Sequence, residues 1–279
     1  MKKALLVGIE NIPGAELHGS LNDICLFYQI FQEQYHFEHF LVLDNERATK
    51  NRWLDGLQWL VADAQPGDTL VHYYSGHGTQ VPCNTRTIGY ELDGLDECPV
   101  PYDMDWKDPL RDDDINQFIM QVPSGVKMIF IMDCCRSGTI LRNALPKTYR
   151  DRFRNRFLPP PLELTLTGKV GLGKGHTIQP LRAKRTPFIV PTLMQAEALL
   201  LSGAADYQNG MEGEIEPGRS FGFFSYILAE TLQRHHCHIT YRNLITKVNR
   251  GLRKLNIPEI NQTPQLEGRE ELFGGWFLE

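Results

Sequence analysis

The chain has 279 residues, 42% hydrophobic and 23% charged, with a net charge of −5. That balance fits a water-soluble globular protein with ample length for a core; it speaks against nucleic acid, and no run approaches the ~18 apolar residues of a membrane span. Six cysteines, at positions 25, 83, 98, 134, 135 and 237, lack the spacing of a disulfide framework, so a reducing cytoplasmic setting is expected.

Residues 3–9 read as a buried strand, too short and too soon followed by Glu10 for a secretory leader. Ser20 opens a helix with Ile24, Phe27, Tyr28 and Phe31 at helical spacing, and Ser20 with Asp23 comes close to a capping box. A strand over 37–43 and an amphipathic helix over 49–64 follow, then a second buried strand, 69–74, ending in Ser75-Gly76-His77-Gly78. Alternating strands and helices predict an α/β fold with a mostly parallel central sheet.

Residues 79–111 read as a long acidic loop. Ten Asp/Glu against two basic residues between Glu91 and Asp114 suit either a solvated loop leading into a helix or a calcium site, since crowded carboxylates repel without a hard cation. A third buried strand, 128–132, runs into Asp133-Cys134-Cys135-Arg136-Ser137-Gly138. In open α/β sheets chemistry collects beyond the strands' carboxyl ends, so His77 and Cys135 are candidates for a thiolate nucleophile and its acid/base partner.

Residues 145–187 read as a flexible, proline-broken linker. Residues 142–187 hold 11 Lys/Arg and two acids; against chain totals of 29 and 34, the remainder has 18 basic and 32 acidic residues. A segment of +9 thus interrupts a body of −14. Gly168 to Gly175 falls one residue short of a phosphate-binding loop and is set aside. Beyond it come a strand at 198–202, a helix at 220–233, a polar turn at His235-His236-Cys237-His238, a helix at 240–255 and a closing strand at 271–278.

Tyr74-Ser75-Gly76-His77-Gly78 with Asp133-Cys134-Cys135-Arg136-Ser137-Gly138 resembles the catalytic signature of the metacaspases, cysteine peptidases of caspase-like fold. The resemblance extends over residues 3–144 and 199–266. It implies a three-layer sandwich in one peptidase domain, with a large-subunit-like portion (1–144), a basic linker (145–187) and a small-subunit-like portion (188–279), and no regulatory domain in front. It implies endopeptidase action on proteins or peptides after Arg or Lys, with Cys135 as nucleophile and His77 as general acid/base. The N–H groups of Gly78 and Cys135 are the expected oxyanion donors. Asp23, Ser75 and Asp133, with Ser20, are the expected pocket for a basic side chain. It also implies calcium as cofactor, held by Asp96, Asp112, Asp113 and Asp114, although a further family ligand position is Arg142 here. Arg136 stands where the family often has His. The expected self-cut follows Arg150, Arg152, Arg154 or Arg156, or falls within 182–185, with the sheet holding both fragments. A catalytically inactive caspase-like binding module is the alternative, and a cysteine esterase or transferase a third.

Overall fold

The apolar runs become a six-stranded sheet. The computed structural model describes residues 1–82, 95–135, 152–161, 164, 197–205, 208–255, 257 and 261–279. Strands β1 (Lys2–Gly8), β2 (His39–Asp44), β3 (Thr69–Ser75), β6 (Lys127–Asp133) and β8 (Ala198–Ser202) run parallel, and β11 (Gln265–Gly268) joins antiparallel in the order β11-β8-β6-β3-β1-β2. Every residue of β3 is buried, as a strand covered on both faces requires.

Alternate residues feed two cores. Ala4, Leu6, Val71, Tyr73, Ile129 and Ile131 face helices α1 (Ser20–Glu33), α4 (Phe223–Arg234) and α5 (Tyr241–Lys254). Leu5, Val7, Leu70, Tyr74, Met128 and Phe130 face α2 (Lys50–Val61) and α3 (Asp112–Ile119). The result is the three-layer caspase-like sandwich expected. In the second core His72 is fully buried and accepts from Trp53 Nε1 at 3.1 Å; burial lowers its pKa to about 4, so it packs as a neutral ring.

Several local expectations change. The acidic loop contains an antiparallel pair, β4 (Gly78–Pro82) with β5 (Leu95–Pro99). A further three-stranded sheet runs β10-β9-β7, from β7 (Phe153–Asn155), β9 (Met211–Glu216) and β10 (Arg219–Gly222). The helix expected from 220 therefore starts at Phe223, after β10. The closing strand is Gln265–Gly268; residues Glu270–Gly274 form a 3-10 turn, because Gly274-Gly275 interrupts the apolar run before Trp276. His236 and Cys237 take left-handed φ of 51° and 57°, which closes the polar turn after α4.

Candidate active site

Strands β3 and β6 pair in register through Ser75 and Asp133, so His77 and Cys135 each lie two residues beyond the last pair. Gly78 crosses directly against Cys135: a Cβ on Gly78 would lie 1.8 Å from the Cys135 carbonyl oxygen. Only glycine permits that approach. His77 is buried, and its Nε2 stands 2.5 Å from the Ala15 carbonyl oxygen. With Nε2–H donating there, Nδ1 is the nitrogen that can exchange a proton. Tyr74 Oη donates to the His77 carbonyl at 2.6 Å and pins the turn.

The N–H groups of Gly78 and Cys135 converge on one oxygen, the carbonyl of Arg156, at 2.8 and 3.3 Å. Residues 153–158, expected within a flexible linker, lie extended through the site. Phe153, Arg154 and Asn155 pair with Gly213, Glu212 and Met211 of β9. Arg156 N donates to the Gly210 carbonyl at 2.9 Å, and Leu158 N to that of Gly78 at 2.8 Å. Thr79 Oγ1 donates to the Leu158 carbonyl at 2.6 Å. The chain is therefore gripped on both sides of the Arg156–Phe157 peptide bond. Cys135 Sγ lies 2.9 Å from Asn155 Oδ1 and 3.1 Å from the Gly210 carbonyl oxygen, two acceptors for its single proton. Burial pushes this thiol well above its ordinary pKa, so the sulfur is protonated while the segment covers it.

The Arg156 side chain is fully buried among carboxylates. Its Nη2 donates to Asp23 Oδ2 at 2.7 Å and Glu212 Oε2 at 3.2 Å; its Nη1 donates to Ser75 Oγ at 2.9 Å and the Asp133 carbonyl at 3.0 Å, with Asp133 Oδ2 also at 3.0 Å. Asp23, Ser75 and Asp133 thus meet at one guanidinium. Asp23 is not a helix cap: α1 starts after Gly19 without a side-chain cap, and the Asp23 carboxylate accepts instead from Ser75 Oγ and Gly222 N. Asp133 Oδ2 is fixed by the N–H and Oγ of Ser225, at 3.1 and 2.5 Å. Ser20 is buried at the start of α1, and its Oγ makes no hydrogen bond among the described residues.

Two pocket residues were missed. Glu212 is buried and held by the N–H groups of His18 and Gly19, at 2.7 and 3.2 Å. Gly222 forms a wall: its Cβ would lie 2.1 Å from Asp133 Oδ2 and 2.5 Å from Arg156 Nη1. Three carboxylates around one guanidinium leave surplus negative charge. Burial drives Asp23 up to about 7, with Asp133 adding to the rise and Arg156 opposing it. For Arg156, burial works against the charge, and Asp133, Asp23 and Glu212 outweigh it and raise its pKa.

The residues expected to bind calcium are arranged differently. Asp96 is buried and ion-paired with Arg111 Nη1, which also donates to the Pro82 carbonyl at 3.2 Å. Asp114 Oδ2 accepts from Arg111 N at 3.0 Å and lies 3.5 Å from Lys50 Nζ. Asp112 and Asp113 occupy the first turn of α3. Among the described residues no group of three or more carboxylate, imidazole or thiolate side chains is placed to hold a metal ion. A guanidinium already neutralises Asp96, so this donor set does not fit a calcium ion. Arg136, Arg142, Arg150, residues 168–175 and 182–185 lie outside the described residues. Among the described residues no helix is long and apolar enough to cross a membrane.

Comparison with known proteins places this geometry. The chain aligns over 95% of its length, at 28% identity, with metacaspase-1 of Schizosaccharomyces pombe, covering 66% of that protein. It aligns over 51% of its length, at 40% identity, with metacaspase-4 of Arabidopsis thaliana, covering 35% of that protein. Among solved structures, a Geobacter sulfurreducens protein superposes with a TM-score of 0.67 at 23% identity, over 98% of this chain and 96% of that one. Caspase-1 of Spodoptera frugiperda superposes with a TM-score of 0.52 at 13% identity, over 96% of this chain and 85% of that one. Those two likenesses concern the fold. Residues 2–144, just over half the chain, match the family described as metacaspase, peptidase C14 domain, and the chain belongs to that family of cysteine-type peptidases.

Proposed function

We propose that the chain is a cysteine endopeptidase that cuts after Arg or Lys, with Cys135 as nucleophile and His77 as general acid/base, and that its first substrate is its own Arg156–Phe157 bond. One observation carries this reading: the Arg156 carbonyl oxygen sits between the N–H groups of Gly78 and Cys135 while its guanidinium fills the carboxylate pocket. Two donors aimed at a peptide carbonyl oxygen are what a developing oxyanion requires. His77 takes the thiol proton, and Cys135 Sγ attacks the Arg156 carbonyl carbon. The oxyanion rests on the two N–H groups. As it collapses, His77 gives the proton to the Phe157 nitrogen, which leaves as an amine. Water, deprotonated by His77, then hydrolyses the Arg156 thioester.

The pocket favours a guanidinium over an ammonium, because Nη1 and Nη2 are bonded to separate partners in a planar fork. Tethering makes the self-cut efficient, since the segment is present at high effective concentration. Until it leaves, the same segment blocks other substrates.

Intact mass spectrometry of wild type, Cys135→Ala and Arg156→Gln tests the reading. Wild type is expected to resolve into fragments 1–156 and 157–279, and both variants to remain whole at that bond. Arg156→Gln, whose uncut segment has lost its anchor in the pocket, should cut an added arginine peptide but more slowly than processed wild type. An intact wild type that cuts such a peptide removes the self-substrate; a wild type that cuts neither leaves the binding-module reading.

A further inference from the structure

Three residues before Arg156, the segment buries a second side chain, and nothing in the arginine reading requires it. Phe153 is 8% exposed and belongs to the core cluster that includes Met211 and Phe223. Its ring centroid lies 5.8 Å from that of Phe223, tilted by 59°. Directly across the β7–β9 ladder stands Gly213. In an antiparallel pair, opposite residues carry their Cβ atoms about 4.5–5.5 Å apart and compete for the same face. Here one of the two has no Cβ, and the phenyl ring lies over the glycine. A Cβ on Gly213 would come within 2.6 Å of Phe153 Cδ1 and 3.1 Å of Cε1, and 3.0 Å from the Arg152 carbonyl oxygen. No flexible side chain stands there to yield: one side of the contact is a packed ring, the other backbone. On the far edge the Arg152 guanidinium lies over the same ring, 5.5 Å from its centroid.

We infer that β9, Gly213 and Phe223 form an aromatic-binding subsite, and that the enzyme selects substrates with an aromatic residue three positions before the arginine at which it cuts. This rests on the reading of the arginine pocket and adds a second requirement to it. The self-segment Phe153-Arg154-Asn155-Arg156 is then a template for other substrates. One anchor opens the three-residue strand β7 and the other directly follows it, so a substrate must be extended between them, and Gly210 and β9 supply the main-chain partners that hold it so. Burying an aromatic ring in such a pocket supports a preference of about tenfold or more.

The test uses full-length wild-type protein and two fluorogenic tetrapeptides, Phe-Arg-Asn-Arg and Ala-Arg-Asn-Arg, each carrying a coumarin amide. Wild type is expected to show about tenfold higher kcat/KM on the phenylalanine peptide. Gly213→Ala should bring the two within about twofold, through a larger loss on the phenylalanine peptide than on the alanine peptide. Equal cleavage of both peptides by wild type overturns the aromatic subsite and leaves the arginine reading standing. Cleavage of neither overturns both. The wild-type comparison needs no variant, so a Gly213→Ala protein that fails to fold does not rescue the inference.

Discussion

Among the described residues, arginines of the chain close two sites of buried carboxylate, and they differ in where the arginine comes from. Asp96 is neutralised by Arg111, the residue that leads into α3 and whose N–H is capped by Asp114. Cation, cap and helix belong to one element. Asp23, Asp133 and Glu212 are paired with Arg156, which directly follows a three-residue strand distant in sequence from all of them. That second cluster keeps surplus negative charge even when filled, and its wall at Gly222 leaves room for a guanidinium. A cluster balanced from within serves the fold. One with surplus charge, a glycine wall and a cation just past a short strand is suited to a cation that comes and goes.

Three results would break or sharpen that contrast. The largest effect is expected for Gly222→Ala, whose methyl would lie where Asp133 Oδ2 and the guanidinium meet. About a hundredfold loss of kcat/KM on arginine peptides should accompany a retained circular dichroism spectrum. A value within threefold of wild type would put the arginine elsewhere. Next, Arg111→Gln should cost about 3 kcal/mol of folding free energy in urea titration, because Asp96 is left buried without its partner. Its peptide turnover should stay within about twofold. Lost turnover at unchanged stability would erase the distinction between the clusters.

The smallest effect is in pH. Asp23, at about 7, lies above its ordinary value of 3.8, mainly through burial, while the guanidinium favours its ionised form. Arginine binding is therefore coupled to proton release. The value of about 7 belongs to the occupied pocket, and an empty pocket holds Asp23 higher still, so for arginine peptides kcat/KM should fall by up to about tenfold per pH unit as pH drops towards about 7 and level off below it. Asp23→Asn should lose this limb relative to wild type in stopped-time assays across pH 6–9. The sign for folding is the reverse: because the folded value is raised, stability falls as pH rises from about 4 to about 7, where Asp23 is made to ionise in a dry site. A flat wild-type profile would mean that Asp23 is ionised throughout.

The sheet and the placing of His77 and Cys135 at its edge are legible in the sequence because β3 and β6 are short apolar runs ending abruptly in Ser75-Gly76-His77 and Asp133-Cys134-Cys135. Covering on both faces writes such strands plainly. Asp23 is legible only through the resemblance, since its local surroundings suit a helix cap equally well. Glu212 and Gly222 are not legible. They belong to β9 and β10, half-buried strands of which the sequence reading gives no sign and whose Gly222 it takes into a helix, and their meaning depends on partners more than a hundred positions away, such as Gly222 N on Asp23. The docking of Arg156 had a faint signal. Arg152, Arg154 and Arg156 alternate with Phe153, Asn155 and Phe157, a strand period of two, within a segment whose overall charge reads as a solvated linker.

The pairing of β6 with β8 carries a consequence for a chain cut after Arg156. These neighbours in the central sheet lie on opposite sides of that bond, matched from Met128 against Ala198 to Met132 against Ser202. Once severed, the fold becomes an obligate pair of polypeptides, and its assembly becomes second order. Mass action then governs its survival: each dilution lowers the concentration of partner available for rejoining. An intact chain can unfold and recover alone, whereas a processed one that comes apart at low concentration has no tether to bring it back.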